Sequence, residues 1–307
     1  MNDHAPRERV WLPGHPLDLH RTLAPLRHGP GDPACRVTGD GAVWRASRTP
    51  AGIGTLRVEA GPGQVRAQAW GPAADWLLDR LPELLGATDD PSGLVLPPGP
   101  VREAQRANPG LRLCRTGLVL ESLVPAILGQ KVTSDEAYRA WRLLLRDFGT
   151  PAPGPAAELR MRVPPSAREW TLIPSWEWHR AGVDPKRSAT IQRAVRLAPR
   201  LEQAAGMAHQ DAYARLTAVP GIGEWTAAET LQRSNGDADA VSVGDFHLAN
   251  FVGWALAGRP RSTDADLLTL LAPYTPHRHR TCRLIALTGL HPPRYGPRLT
   301  PNDHRSR

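Results

Sequence analysis

Lysine and cysteine are both scarce in this chain of 307 residues. Lys131 and Lys186 are its only lysines, so a mechanism that forms a Schiff base has two side-chain amines from which to choose. The three cysteines, Cys35, Cys114 and Cys282, are too few for a four-cysteine iron–sulfur cluster and lie far apart, with no CxxC pair. We therefore expect reduced, mostly buried thiols and no disulfide framework.

Long apolar runs are also absent. No stretch approaches the roughly 18 consecutive apolar residues of a membrane-spanning helix, and the charged segment 1–9 is not followed by the apolar core of a signal peptide. Hydrophobic residues make up 41% and charged residues 22%, which is typical of a soluble globular protein. We expect a cytoplasmic protein with no membrane partner.

The charge balance is basic. Lysine and arginine number 38 against 30 acidic residues, which gives a net charge of +8 and points to a polyanionic partner such as nucleic acid. Because all but two of these basic residues are arginine, and glycine (28) and proline (32) are also frequent, the codon usage of a GC-rich genome explains the same bias. Charge alone is weak support for nucleic-acid binding.

The pattern of apolar residues changes at about residue 100. Alternation over 56–60 and 65–69 around the Gly61-Pro62-Gly63 turn predicts a hairpin, with another strand at 43–48 and a helix at 76–85. Segment 89–100 is rich in proline and glycine and is the predicted boundary. The fold class is therefore α+β: a small β-rich domain over 1–100, an all-α domain over 101–290, and a flexible basic tail over 291–307.

Helix starts are marked by capping signals in the second part. T-x-x-E and related boxes predict starts at Thr133/Glu136, Ser166/Glu169 and Thr263/Asp266. Further starts are predicted from a capping serine or from proline in the first turn, at Ser175, Asp184-Pro185 and Thr275-Pro276.

The most informative segment surrounds a Pro-Gly-x-Gly turn. A helix is predicted to end near Leu216, residues 219–223 to form a tight hairpin, and a second helix to run to about Ser234. Gly221 and Gly223 let the backbone approach a phosphate, and the start of the next helix offers unpaired N–H groups. Ile222 is expected to pack beneath this hairpin. The alternative is an ordinary loop between two core helices.

On these residues the chain resembles the helix-hairpin-helix DNA glycosylase superfamily, and within it the DNA-3-methyladenine glycosylase II family. The resemblance also involves the Ala-Ile-Leu-Gly-Gln segment at 126–130 and the Lys186-Arg187 pair. It covers most of the chain and implies a β-rich domain followed by a helical glycosylase domain.

The resemblance implies that Asp245 is the catalytic carboxylate, about twenty residues beyond the hairpin. The residues support this independently, because apolar residues follow Asp245 at helical spacing and make it an N-cap candidate. A fixed anion there stabilises an oxocarbenium-like sugar and positions or deprotonates water. The alternative is that Asp245 is only a cap.

Two residues beyond Gly223, members of the superfamily that also cleave the DNA backbone carry a lysine, whereas this chain has Trp225. No lysine occurs anywhere after Lys186. The resemblance therefore implies a monofunctional enzyme in which water, and not an amine, attacks the sugar.

The expected base pocket is aromatic. The Trp225 indole suits a cationic alkylated purine such as 3-methyladenine or 7-methylguanine by stacking and cation–π attraction. Other candidates for this pocket are Phe246, Glu229, His277, Trp176 and Trp178. Glu229 and His277 replace a family tyrosine and tryptophan; Glu229 is alternatively a solvated helix residue, and the two tryptophans of 175–182 are alternatively core.

DNA contacts are predicted at the hairpin and at nearby basic or polar residues: Gly221, Ile222, Gly223, Thr226, Gln130, Lys131, Arg187 and Arg278. Gln130 is the candidate to fill the gap left by a flipped base while Lys131 contacts a phosphate, and the alternative is that Lys131 is the wedge. The run His277-Arg278-His279-Arg280 is interpreted as a basic helix start facing DNA, with a solvated surface as the alternative.

No cofactor and no catalytic metal are expected. The resemblance implies a structural Na⁺ or K⁺ held by the main-chain carbonyls of Thr217, Val219 and Gly221.

The leading hypothesis is a monomeric, monofunctional DNA glycosylase of base excision repair. It flips alkylated purines out of double-stranded DNA and hydrolyses the N-glycosidic bond with Asp245. The alternatives are a non-catalytic helix-hairpin-helix protein that binds damaged DNA, and a glycosylase for hypoxanthine, uracil or a bulky adduct.

Overall fold

A computed structural model describes residues 5–293. Most of the predicted basic tail therefore lies outside the described residues. Within 5–293, no helix has the length and apolar character needed to cross a membrane.

The N-terminal part contains one antiparallel sheet of five strands in the order β1-β5-β4-β3-β2. The strands are β1 Arg7–Trp11, β2 Cys35–Val37, β3 Val43–Thr49, β4 Gly52–Gly61 and β5 Gln64–Trp70. The predicted hairpin is confirmed, with Ala60 opposite Val65 and Gly61 opposite Gln64. The edge strands β1 and β2 were not predicted, because they are short and their residues are mostly polar or exposed.

Helices make up most of the chain outside the sheet, and α1 lies between β1 and β2. They are α1 Leu19–Leu23, α2 Ala74–Asp79, α3 Leu81–Leu84, α4 Pro100–Ala107, α5 Val119–Leu128, α6 Ser134–Phe148, α7 Ala167–Leu172, α8 Ser175–Arg180, α9 Pro185–Arg196, α10 Ala198–Glu202, α11 His209–Thr217, α12 Glu224–Ser234, α13 Leu248–Ala257, α14 Asp264–Leu271 and α15 Arg278–Leu287. Two very short strands, β6 Thr150–Pro151 and β7 Arg162–Val163, pair between α6 and α7.

The predicted capping boxes are confirmed. The side chains of Thr133, Ser166 and Thr263 each accept the N–H group three residues later, and the acidic residue there reaches back. Ser175 was predicted as a cap but is the first residue of α8, and Pro174 occupies the cap position without a side-chain bond. The single helix predicted over 76–85 is divided at Arg80 into α2 and α3.

The sheet packs against the segment between α6 and α7 and forms a hydrophobic core with it. Trp44 and Trp70 stack at 5.5 Å between ring centroids and pack with Ala152, Ala156 and Met161 from the segment between α6 and α7. Segment 151–157 was interpreted as a surface loop, but it places two alanines in this core because the sheet covers it.

The predicted boundary segment 89–100 is packed and not extended into solvent. Leu94 and Leu96 are buried with Val252 of α13 and Ile285 of α15. The division into domains stays a prediction, with this segment bound to the last helices of the chain.

The three cysteines are free and buried, as expected. Burial raises the pKa of the Cys35 and Cys282 thiols to about 12.

Candidate active site and nucleic-acid interface

Helices α11 and α12 are joined by the predicted tight hairpin. Ile222 is buried beneath it, while Gly221 and Gly223 are exposed. Gly221 has φ +97°, and a Cβ atom there would lie 2.3 Å from Oγ1 of Thr190 on α9, so only glycine fits. The first N–H groups of α12 have no partner within the helix and are available to an anion. The hairpin has the geometry of a main-chain phosphate site.

Gln130 holds this hairpin in place. Its Nε2 donates to the carbonyl oxygen of Gly221 at 2.9 Å and to Oγ1 of Thr226 at 2.8 Å. Thr226 was predicted to contact DNA, but its side chain is buried and supports the hairpin instead. Gln130 likewise uses its amide inside the protein, where a wedge into DNA was predicted. Lys131 follows it, exposed and with φ +56°.

Asp245 lies where two elements converge on it. Its Oδ1 accepts the N–H groups of His247 and Leu248, each at 2.9 Å, and its Oδ2 accepts the indole N–H of Trp225 at 3.2 Å. Helix α13 begins at Leu248, and its N-cap residue is His247. Asp245, which was predicted to be the N-cap, lies two residues before that position and binds the N–H groups at the helix start with its side chain. The carboxylate is half-buried and is hydrogen-bonded at both of its oxygens.

Aromatic surface adjoins this carboxylate. Trp225 is half-buried against the end of α5, where a Cβ atom on Gly129 would lie 3.2 Å from the indole ring. Phe246 is 75% exposed and meets the His247 ring edge-on at 4.9 Å. Trp225 contacts Asp245 through its indole N–H, and Phe246 follows Asp245 in the sequence, so both rings remain candidates for stacking on a base.

Glu229 fits neither of its two predicted roles. Its Oε1 accepts from the Ser242 hydroxyl at 2.5 Å, and its Oε2 accepts from Nη1 of Arg233 at 2.8 Å. Both oxygens are thus occupied by groups of the protein. Glu229 connects α12 to the loop that carries Asp245, and it is neither an open pocket carboxylate nor a solvated one.

The other predicted pocket residues have contacts elsewhere. Trp178 is 3% exposed, stacks on Trp170 and donates to the carbonyl of Ile173, so it is a core residue. Trp176 is 69% exposed on the surface of α8. His277 is buried beside Gly93, and burial lowers its pKa. The contacts described for these residues do not join them to Trp225 or Asp245.

Arg187 was predicted to contact DNA, but it is 4% exposed. Its guanidinium donates to Oδ2 of Asp184 and to the carbonyls of Leu128 and Gly182, at 2.5, 2.6 and 3.0 Å. The guanidinium N–H groups that make these three bonds are therefore directed at acceptors of the protein itself. Arg187 therefore joins α9 to the end of α5 and is a structural residue.

The run 277–280 does not form a basic surface. Arg278 is bound by both carboxylate oxygens of Asp239, at 2.6 and 2.8 Å. His279 and Arg280 are buried, and Arg280 pairs with Asp89 of the boundary segment. The predicted DNA-facing helix start and its solvated alternative are both wrong for His279 and Arg280, because both side chains are buried and Arg280 is paired with an acidic residue.

In the described range 5–293, no group of three or more histidine, cysteine or acidic side chains could hold a metal ion. An open cavity of about 480 Å³ lies behind the hairpin between α10 and α11, lined by residues such as Leu201, Met207 and Arg215. It does not include Asp245.

Comparison with known proteins identifies related sequences and folds. No family model matches the chain. A Mycobacterium tuberculosis protein described as a probable bifunctional transcriptional activator/DNA repair enzyme AlkA is 30% identical over 231 residues, which cover 70% of this chain and 44% of that protein. The chain thus spans less than half the length of the curated relatives that it matches.

Solved structures show the same fold at low identity. A 3-methyladenine DNA glycosylase from Archaeoglobus fulgidus aligns with a TM-score of 0.74 and 15% identity, over 91% of this chain and 98% of that chain. An 8-oxoguanine glycosylase/lyase from Clostridium acetobutylicum aligns with a TM-score of 0.69 and 10% identity, over 94% of this chain and 100% of that one.

Proposed function

This chain belongs to the helix-hairpin-helix DNA glycosylase superfamily, and from that premise we propose that it is a monofunctional DNA glycosylase of base excision repair. The observation that carries the proposal is the Asp245 carboxylate, which receives two backbone N–H groups and the Trp225 indole N–H beside the hairpin.

Asp245 acts on the sugar of a flipped nucleotide. As the N-glycosidic bond breaks, positive charge develops on the sugar, and a carboxylate held in one orientation stabilises that charge without reorganising. The same carboxylate positions a water molecule and accepts its proton as the C–O bond forms. The products are the free base and an abasic site, with the DNA backbone intact.

The proposed substrates are alkylated purines of the 3-methyladenine and 7-methylguanine type. Such bases are cationic and leave readily, and the Trp225 and Phe246 rings can bind them by stacking and cation–π attraction. The relatives act on more than one lesion by their printed descriptions, including 3-methyladenine and 8-oxoguanine. The competing substrates are 8-oxoguanine, which the description of one structural neighbour names, and hypoxanthine, uracil or a bulky adduct.

Hydrolysis is proposed in preference to strand cleavage. Trp225 carries no amine, and the side-chain amines of the chain are limited to Lys131 and Lys186. Treating an enzyme–DNA mixture with borohydride should therefore trap no covalent adduct, and a trapped adduct would overturn this part of the proposal.

Double-stranded DNA with damaged bases is the proposed partner, bound by a monomer in the cytoplasm. The hairpin provides the phosphate contact, with Gly223 exposed at its end. No cofactor is proposed for the reaction.

A structural Na⁺ or K⁺ at the hairpin is part of the proposal. Main-chain carbonyl oxygens are suitable ligands for such ions, and each oxygen has two lone pairs. The carbonyl of Gly221 already accepts from Gln130 and that of Val219 from Ile222, which leaves one lone pair on each for a cation. Replacing K⁺ by tetramethylammonium at constant ionic strength should weaken DNA binding if the ion is present.

The decisive experiment measures base release. Wild type and Asp245→Asn are incubated with duplexes that carry 3-methyladenine, 7-methylguanine, hypoxanthine or uracil, and free base is quantified. Wild type should release the alkylated purines, and the variant should lose at least about 100-fold in rate because the fixed negative charge is gone.

Equal release by the variant would contradict the catalytic role of Asp245. Binding to damaged duplexes without release of any base would instead support the second candidate, a non-catalytic protein that recognises DNA damage.

A further inference from the structure

We propose that Glu229, Gln232 and Ser242, here called the loop clamp, are positioning residues that hold the loop 240–247 so that Asp245 meets its substrate. The inference rests on the proposed glycosylase function. It assigns to Glu229 a role that is independent of any attraction between its charge and a cationic base.

One face of α12 contacts the loop along its length. Trp225, Glu229 and Gln232 are spaced by four and three residues, so they lie on the same side of the helix. Trp225 donates to Oδ2 of Asp245 at 3.2 Å, Glu229 accepts from Ser242 at 2.5 Å, and Gln232 donates to the carbonyl of Ala240 at 2.9 Å. Three successive turns of the helix thus bind three successive parts of the loop.

Ser242 is the centre of the clamp. It is buried, its hydroxyl donates to Glu229, and the same oxygen accepts from Nε2 of Gln232 at 2.9 Å. Its carbonyl oxygen accepts the N–H group of Asp245 at 3.2 Å and closes a four-residue turn. Gly244, the third residue of that turn, has φ +85°, a conformation that favours glycine. Fixing Ser242 therefore fixes the backbone of Asp245.

Glu229 is itself held. Arg233 donates to its Oε2 at 2.8 Å and to its carbonyl oxygen at 2.6 Å, and also to the carbonyl of Pro25 at 2.9 Å. The carboxylate is therefore neutralised by a guanidinium and oriented toward Ser242. A carboxylate in this position supports the loop as a hydrogen-bond acceptor, and its negative charge is already paired.

The test compares variants that differ in acceptor and charge. Glu229→Ala and Ser242→Ala should each lower the single-turnover rate on the lesion that wild type excises fastest by about 10- to 100-fold, because a displacement of about 1 Å at a reacting group can cost that much. The dissociation constant for DNA should stay within about twofold, since the clamp lies away from the hairpin. Glu229→Gln keeps an acceptor for Ser242 and should stay within about threefold of the wild-type rate.

The double variant Glu229→Ala/Ser242→Ala should be no slower than the slower of the two single variants, because Ser242→Ala already removes the bond that Glu229→Ala removes. Matched controls come from the capping box of α7, where Glu169→Ala and Ser166→Ala remove a similar pair far from Asp245 and should leave the rate unchanged. If Glu229→Gln is as slow as Glu229→Ala, or if the two losses add, the clamp is overturned and attraction of a cationic base is supported.

Amide hydrogen exchange measures the order of the loop 240–247 without depending on enzymatic activity. The amides of Asp245, His247 and Leu248 are all hydrogen-bonded in the clamped loop. They should exchange at least about tenfold faster in Glu229→Ala and Ser242→Ala, and at the wild-type rate in the α7 controls. Unchanged exchange would overturn the proposal. Faster exchange in a protein that releases no base would leave the clamp intact and contradict the glycosylase function instead.

Discussion

Asp245 receives hydrogen bonds from two directions. Two come from the backbone at the start of α13 and one from the Trp225 indole on α12. A carboxylate with a single donor can rotate about its side-chain torsions, whereas one held at both oxygens cannot. The orientation that the proposed charge stabilisation requires is thus present without a substrate.

Trp225→Phe tests the indole donor. The phenyl ring keeps a surface for stacking but donates no hydrogen bond to Oδ2 of Asp245, and a hydrogen bond to a charged group contributes about 1.5–3 kcal/mol. We expect a loss of at least about tenfold in single-turnover base release, with a smaller change in DNA affinity, measured by rapid quench and by fluorescence anisotropy. An unchanged rate would show that the two backbone donors suffice.

Arg187→Met tests whether Arg187, which the sequence predicted to contact DNA, instead stabilises the fold. Removing the guanidinium leaves the carbonyls of Leu128 and Gly182 without these donors, and we expect the free energy of unfolding to fall by about 2–4 kcal/mol. Urea denaturation measures this change. Lys186→Met, at the exposed neighbouring position, is the control and should change stability by less than about 0.5 kcal/mol. Weaker DNA binding without loss of stability would contradict the assignment.

The sequence did not predict which polar and charged side chains are buried. Asp245 and Trp225 were identified from the motif and its spacing, and they lie together. Arg187 and Arg280 looked like surface charges, because burial of arginine depends on partners from other elements such as Asp184 and Asp89. For Glu229 the signal that was missed is the i, i+3 spacing to Gln232, which puts two polar side chains on the face that bears Trp225.

At the scale of elements, the hairpin between α11 and α12 is shaped by its contact with α9. Gly221 faces Thr190, and its carbonyl is held by Gln130 from the end of α5. Contacts from α9 and from the end of α5 therefore define the position of a turn of five residues.

Gly221→Ala and Gly223→Ala should separate stability from DNA binding. A Cβ on Gly221 meets Thr190 at 2.3 Å and requires φ +97°, so we expect a loss of about 2–4 kcal/mol of unfolding free energy. A Cβ on Gly223 meets nothing within 4 Å, so stability should change by less than about 1 kcal/mol. Its methyl group points outward and should weaken binding to duplex DNA in an anisotropy titration. Unaltered DNA affinity in Gly223→Ala would contradict the proposed phosphate contact.

Elements with local signals were predicted well. The capping boxes at Thr133, Ser166 and Thr263, the β4–β5 hairpin and the hairpin at 219–223 each depend on residues a few positions apart. Strands β1 and β2 carry no such signal, because an edge strand is defined by the partner beside it. The packing of 89–100 against α13 and α15 was missed for the same reason, since proline and glycine indicate irregular backbone but do not tell whether it is covered.

At the scale of the whole molecule, His28 connects stability to pH. Its ring meets Trp141 at 5.3 Å, and burial, with the guanidiniums of Arg233 and Arg45 nearby, lowers its pKa from 6.5 to about 3. Between these two values the unfolded chain binds a proton that the folded protein does not. This group's contribution is therefore complete above pH 6.5 and is lost as the pH falls toward 3.

Comparison with His28→Gln isolates that effect. From pH 6.5 to pH 4.5, wild type should lose stability relative to the variant by up to about 1.4 kcal/mol per pH unit. Urea denaturation at closely spaced pH values measures the difference, and other titrating groups cancel because both proteins carry them. A difference that does not change with pH would contradict a His28 that stays neutral in the folded protein below pH 6.5.

The ends of the described chain are tied to each other by bonds between residues far apart in sequence. Arg283 of α15 donates to the carbonyl of Arg21, 262 positions away, and Arg233 to that of Pro25, 208 positions away. Helix α13, whose first N–H groups hold Asp245, shares its core with α15. During synthesis on the ribosome, α13 therefore emerges before the helix that completes its packing. We therefore expect the proposed catalytic carboxylate to become ordered only after α15 has been synthesised and has packed against α13.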